Sequence, residues 1–84
     1  MMIDAVMGGE PVTRADDPRL YRLLENLCIS RGMRMPALRI VHDPALNAYA
    51  SGLYESQYAV TVTSGLRDAL TDRELEAVLA HELA

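Results

Sequence analysis

Several residue types are rare or absent in this chain of 84 residues, which holds one cysteine and no tryptophan, phenylalanine or lysine. A lone cysteine, Cys28, excludes an internal disulfide framework and is typical of a reducing compartment. No apolar run reaches the roughly 18 residues that a membrane-spanning helix needs. We therefore expect a soluble segment, so that any membrane attachment belongs to parts of the parent protein outside this chain.

Positive charge is also in the minority. Eight basic residues, all of them arginine, stand against twelve acidic residues, which gives a formal net charge of -4. Binding to a phosphate backbone needs clustered positive charge, whereas these arginines are scattered along the chain. We therefore expect no nucleic-acid partner.

The first sixteen residues show no regular pattern. Gly8, Gly9 and Pro11 are mixed with scattered charges, and the apolar residues follow neither the helical nor the strand period. We predict a flexible linker over residues 1–16, followed by one small domain over residues 17–84.

A helix is predicted directly after this linker. An aspartate cap, Asp16 or Asp17, precedes Pro18, which suits the first helical position, and Gly32 provides the stop. The apolar face between them consists of Leu20, Leu23, Leu24, Leu27 and Cys28. Because Cys28 belongs to this face, we interpret it as an inert core thiol and not as the nucleophile of a cysteine protease.

Three extended segments follow the helix. Residues 38–42 are rich in β-branched side chains, residues 47–51 form a shorter extended piece, and residues 58–63 alternate between two faces. A turn over residues 52–57 would join the last two as a hairpin. The sequence predicts an α+β fold in which a helix packs on a small three-stranded sheet, followed by the N-terminal part of another helix.

The last helix has a clear start. A short helical turn over residues 64–70 is followed by Thr71 and, three positions later, Glu74, which is the pattern of a capping box. The helix should therefore begin near Asp72. No glycine, proline or cap follows, so we expect it to be still running at Ala84.

The apolar face of this last helix is continued by an acidic residue. The face consists of Leu75, Val78 and Leu79. Glu82 is the next position on it, where a side chain is partly shielded from water, as general bases often are. With His81 before it, the ending His-Glu-Leu-Ala forms the first four positions of an H-E-x-x-H motif. In that motif two histidines bind one zinc ion and the glutamate activates the zinc-bound water.

The neighbouring residues strengthen this interpretation, because the His-Glu pair alone also fits an ordinary solvated helix end. Thr63-Ser64-Gly65-Leu66, Leu70 and the run from Glu74 to Ala84 resemble the "vtsGL…L…ELeaVlaHElaH" stretch of HtpX-like zinc peptidases. Upstream, the segment Asn47-Ala48-Tyr49-Ala50-Ser51-Gly52 resembles the "NAFATG" segment of that family. The resemblance covers residues 17–84.

This resemblance implies part of a zincin-like catalytic domain, from a membrane-associated zinc metalloendopeptidase whose catalytic domain lies on the cytoplasmic side. Its substrate would be a protein or peptide. His81 corresponds to a zinc ligand and Glu82 to the catalytic base. The second histidine and a glutamate ligand from a later helix would lie beyond Ala84. We therefore expect the 84-residue chain alone to bind zinc weakly, if at all, and to be inactive.

Asn47, Tyr58 and Val60 are weaker candidates, for substrate binding. The strand over residues 58–63 either offers a free edge to an extended peptide or is a fully paired central strand, and the sequence leaves both open. Asn47 either caps a turn or shapes a substrate-binding strand. His42 is interpreted as an ordinary polar strand end and not as a further metal ligand.

One alternative for the whole chain belongs to another class of protein. It is a non-catalytic α/β interaction module whose apolar faces bind a partner and whose His81-Glu82 pair is accidental.

Overall fold

The computed structural model describes residues 9–84, except for the side chain of Glu55, and this part forms four strands and three helices. The strands are β1 (Glu10–Pro11), β2 (Ala37–Val41), β3 (Ala48–Ser51) and β4 (Ala59–Thr63). The helices are α1 (Pro18–Arg31), α2 (Ser64–Ala69) and α3 (Asp72–Leu83), and Glu55–Gln57 forms a 3-10 turn. The predicted α+β class is confirmed.

Local signals determine both ends of α1. The side chain of Asp17 accepts a hydrogen bond from the backbone N–H of Leu20 at 3.1 Å, with Pro18 at the first helical position. Gly32 ends the helix in the left-handed conformation, with a φ of 64°, which glycine adopts without steric cost. The buried residues of the helix are Leu20, Leu24 and Cys28, while Leu23 and Leu27 are partly buried.

The strands form one mixed sheet in the order β1-β2-β4-β3. β2 and β4 are parallel, β3 and β4 are antiparallel, and the predicted hairpin between the last two is confirmed. Val60 of β4 lies opposite Leu38 of β2 and Ala50 of β3, so these three side chains share one face of the sheet. This face contributes to the single core.

The core joins alternate strand residues to the helices. Its buried apolar residues are Val12, Leu20, Leu24, Cys28, Leu38, Ile40, Val60, Val62, Leu66, Leu75 and Leu79. None of the helices within residues 9–84 combines the length and the apolar content that crossing a lipid bilayer requires. Every buried side-chain nitrogen or oxygen in the described residues has a hydrogen-bond partner.

The predicted linker is wrong for residues 10–12. β1 pairs antiparallel with β2, the backbone N–H of Val12 donates to the carbonyl oxygen of Leu38 at 2.8 Å, and Val12 is only 8% exposed. Within the described residues, the sheet therefore has four strands instead of three. A strand of two residues is too short to show the alternation of side chains that would predict it from the sequence. Its structure depends on pairing with β2, which is distant along the chain. The part of the linker prediction that covers residues 1–8 lies outside the described residues.

The packing of α1 gives a first testable prediction. Leu24 is fully buried, so Leu24→Ala should lower the free energy of unfolding by about 2–5 kcal/mol through lost burial and a residual cavity. Ile29 on the same helix is 71% exposed, so Ile29→Ala should change it by no more than about 0.5 kcal/mol. Denaturant melts of both variants provide the measurement. Equal losses in the two variants would contradict the orientation of α1.

Candidate active site

The helix that carries His81 and Glu82 begins at the predicted capping box. The hydroxyl of Thr71 accepts from the backbone N–H of Glu74 at 3.2 Å, and the Glu74 carboxylate accepts from the backbone N–H of Thr71 at 2.9 Å. These reciprocal bonds fix the residue at which α3 starts. Successive side chains are about 100° apart around the helix axis. Holding the first turn in place therefore also determines the directions of the later side chains.

The buried face of α3 determines the surroundings of the two motif residues. Leu75 and Leu79 are fully excluded from water, and Val78 is partly buried. Glu82 lies three positions after Leu79 and is half-buried, as predicted from the helical period. His81 points to the exposed side of the helix. The imidazole is therefore accessible, while the carboxylate lies at the margin of the core.

Glu82 borders a cavity of about 230 Å³ between the end of α3 and the sheet. The lining residues are Pro36, Ala50, Ser51, Gly52, Tyr58, Ala59, Val60, Glu82, Leu83 and Ala84. Two of the weaker sequence candidates, Tyr58 and Val60, therefore meet Glu82 at one place. The cavity offers an acid beside small and apolar side chains.

The pairing of β4 decides between the two alternatives that the sequence left open. β4 has β2 on one side and β3 on the other, so it is a paired central strand without a free edge. Val60 is only 1% exposed and reaches just the wall of the cavity. An extended peptide therefore cannot pair with β4, and any contact of Tyr58 or Val60 with a substrate would occur through the cavity.

Within residues 9–84, β3 is the edge strand on this side of the sheet. The backbone N–H of Thr63 donates to the carbonyl oxygen of Asn47 at 3.0 Å. Because hydrogen-bonded and non-hydrogen-bonded pairs alternate in antiparallel strands, Ala48 and Ala50 direct their backbone groups away from β4. α3 packs against β3, so this edge runs close to the helix that carries Glu82.

Asn47 lies at the other end of β3 from the cavity, where it meets the motif that begins with Thr63. The Thr63 hydroxyl accepts from the backbone N–H groups of Asn47 at 3.1 Å and of Leu66 at 3.2 Å, and it donates to the carbonyl oxygen of Ala45. One hydroxyl thus caps α2 and holds the loop before β3. Asn47 is exposed, and its role in substrate binding stays a prediction.

Sequence reasoning singled out Asn47 and missed the cavity residues at the other end of the same segment. Ala50 and Gly52 line the cavity. Gly52 has a φ of 123°, and a Cβ atom there would lie 2.6 Å from the carbonyl oxygen of Gln57, so only glycine fits this turn. The glycine that ends the "NAFATG"-like segment was the available signal.

The described residues contain no group of three or more His, Cys, Asp or Glu side chains placed to hold a metal ion. His81 is exposed, and its imidazole suits one position of a tetrahedral zinc site. His42 lies near β1, at the opposite edge of the sheet from β3, with its Nε2 atom 3.6 Å from Glu10. This placement agrees with its interpretation as a polar strand end.

Cys28 is not placed as a nucleophile. It is 2% exposed in the core face of α1, and desolvation by burial raises the pKa of its thiol. A raised pKa disfavours the thiolate, which is the reactive form. The cysteine-protease interpretation therefore has no support in the structure.

Comparisons with known proteins agree with the motifs. Residues 14–84 match the family described as "Peptidase family M48". The chain is 50% identical over 82 residues to "Protease HtpX homolog" of Bacteroides fragilis (strain ATCC 25285), covering 98% of this chain and 26% of that relative. It is 47% identical over 76 residues to the protein of that name from Tropheryma whipplei (strain Twist), covering 90% and 26%. For Sulfurovum sp. (strain NBC37-1), the identity is 48% over 76 residues, covering 90% and 28%.

These matches confirm the predicted resemblance to HtpX-like peptidases. The chain spans about a quarter of the length of the curated relatives it matches.

The bonds of Thr63 give a prediction about this region. Thr63→Val keeps the shape of the side chain but removes the hydroxyl, so it should lower the free energy of unfolding by about 1–3 kcal/mol. Thr63→Ser keeps the hydroxyl and should cost less. Thermal melts of the two variants are the measurement, and a valine variant as stable as the serine variant would contradict the role given to the hydroxyl.

Proposed function

Because the chain belongs to peptidase family M48, we propose that it forms part of the active site of a zinc-dependent metalloendopeptidase, which hydrolyses peptide bonds. The observation that carries this proposal is the position of Glu82, which borders a cavity close to the exposed edge of β3. His81, next to it on α3, is accessible.

His81 would hold the zinc ion together with a second histidine and a glutamate beyond Ala84. Three protein ligands are typical of catalytic zinc sites, and the described residues supply one of them. The bound ion would polarise the attacking water and the scissile carbonyl group. We infer that the 84-residue chain alone, with one ligand, is inactive.

The role of Glu82 is to move a proton. A carboxylate oxygen accepts the proton of the attacking water, and the resulting carboxylic acid can return it to the leaving amine. Its place on α3 is held by the packing of Leu79, which is fully buried, and of Leu83, which packs against the core. A general base needs this fixed placement, because proton transfer depends on hydrogen-bond geometry.

The substrate would be a protein or peptide in extended conformation. Ala48 and Ala50 can pair with such a segment through the outer edge of β3, whereas the sequence had left open whether the strand over residues 58–63 offers such an edge. The cavity with Tyr58 and Val60 would receive part of the peptide next to Glu82. Asn47 would act indirectly, through its backbone bonds to Thr63.

We further propose that the parent protein is associated with a membrane through parts outside this chain, with the catalytic domain on the cytoplasmic side. The resemblance to HtpX-like peptidases supports this location. The scattered arginines and the net charge of -4 support the absence of a nucleic-acid partner.

The alternative of a non-catalytic interaction module is not favoured. It requires His81-Glu82 to be accidental, yet the family match covers residues 14–84 and includes this pair. The cavity at Glu82 also provides a reason for the acid on a largely apolar face.

The first test concerns the full-length enzyme. Glu82→Gln should leave the zinc content near normal but lower kcat at least about 100-fold, because the amide keeps the shape and cannot accept a proton. Glu76→Gln, at an exposed position of the same helix, is the matched control and should have little effect. Peptidase assays with metal analysis provide the measurement. Turnover at the wild-type rate in Glu82→Gln would remove this residue from the mechanism.

The second test concerns the 84-residue chain. We expect zinc affinity weaker than about 1 µM, because His81 stands alone in the last turn of α3, where helices fray. Calorimetric titration with parallel histidine NMR shifts provides the measurement. Stoichiometric binding tighter than this, roughly -8 kcal/mol, with shifts of both His42 and His81 would mean that the chain builds a site of its own.

A further inference from the structure

A single side chain of α1, Arg19, holds the corner where α2 ends and α3 begins. Its guanidinium donates from Nε to the Asp72 carboxylate, from Nη1 to the carbonyl oxygen of Arg67 at 2.9 Å, and from Nη2 to that of Leu70 at 2.7 Å. These three acceptors lie about 50 residues further along the chain. The contact therefore joins elements that have no local reason to meet.

The corner needs such a donor. α2 has only six residues, and the last carbonyl groups of any helix lack partners within it. Leu70 is extended, with φ -99° and ψ 148°, so the helical conformation is interrupted between α2 and α3. No regular secondary structure satisfies the last carbonyl groups of α2. Arg19 satisfies two of the carbonyls and, in the same fork, binds Asp72, the first residue of α3.

A reciprocal contact holds the corner a second time. Nη1 of Arg67 lies 3.3 Å from Oδ2 of Asp17, the cap of α1, and both side chains are largely buried. Thus α1 binds two carbonyl groups and a carboxylate of the α2–α3 corner, while that corner binds the cap of α1. Lysine could not replace Arg19 here, because one ammonium group lacks the planar fork that reaches three acceptors in fixed directions.

This corner governs the position of the motif residues. Apolar burial of Leu75 and Leu79 attracts α3 to the core but is not directional, whereas hydrogen bonds at the corner define a position along the helix axis. A slip by one residue would move the helix by about 1.5 Å and rotate Glu82 by about 100°. We propose that Arg19 is a positioning residue of the active site, acting on His81 and Glu82 through α3. The catalytic part of this inference rests on the proposed function.

The test compares two substitutions in the full-length enzyme. Arg19→Lys keeps the charge but loses the fork. Arg14→Lys is the matched control, since Arg14 lies just before α1 and makes one exposed ion pair to that helix, with Glu25 at 2.7 Å. Measured per folded, zinc-loaded enzyme, Arg19→Lys should lower kcat about fivefold or more with KM within about twofold, because small misplacements of a catalytic group are costly. Arg14→Lys should leave both constants within about twofold.

A second readout does not depend on catalysis. Backbone amides of α3 should exchange hydrogen faster in Arg19→Lys than in the wild type, and should be unaffected in Arg14→Lys. Unchanged exchange in Arg19→Lys would overturn the proposal. A lowered melting temperature with wild-type kcat per folded enzyme would also overturn it, because Arg19 would then only stabilise the fold. If the wild type shows no peptidase activity, the proposed function fails, and the exchange data still decide whether Arg19 fixes α3.

Asp72→Asn tests the same contact from the other side and serves if Arg19→Lys folds poorly. It weakens one of the three bonds, so it should lower kcat less than Arg19→Lys does. In the double variant the two effects should not add, since they act on one contact. Fully additive losses would show that Arg19 and Asp72 act independently and would overturn the proposal.

Discussion

Leu75 and Leu79 lie one turn apart on α3, and both are fully excluded from water. Turning this helix would expose their apolar surface, at a cost of roughly 1.5–3 kcal/mol for each side chain. The arrangement of the candidate site depends on this constraint, because it leaves Glu82 at the margin of the core and His81 in water. The capping box and the Arg19 contacts then define the position of the helix along its own axis.

Several of the features that the sequence predicted correctly depend on neighbours within about four positions. The caps of α1, the capping box at Thr71 and the half-buried position of Glu82 are of this kind, because the helical period and the cap residues act locally. β1 and the central place of β4 depend instead on strands that are distant in the chain. No local pattern contains that information, and the same residues of β4 would suit an edge or a central strand.

The residues of the candidate site can also be separated into those that a local pattern predicts and those that depend on distant contacts. Its acid and its histidine were predicted from the period of α3, from the partial H-E-x-x-H motif and from the resemblance of the surrounding residues to HtpX-like peptidases. The opposite wall of the cavity, with Ala50 and Gly52, was not, because these residues meet Glu82 only after β3 has paired with β4 and α3 has packed on the sheet. Arg19 was likewise invisible, since an arginine on an amphipathic helix usually points into solvent.

The strand order has a consequence for how the chain folds as it is synthesised. Of the four strands within residues 9–84, β4 is the last to be made, yet it is the one that joins β2 to β3. Until Thr63 has left the ribosome, β2 has only the two residues of β1 to pair with, and the apolar side chains of the nascent sheet lack their central support. The backbone hydrogen bonds of α1 are local, but until then the helix has no complete sheet to pack on. Within residues 9–84, the sheet therefore cannot be completed in the order in which its strands are made, because its central pairings wait for β4.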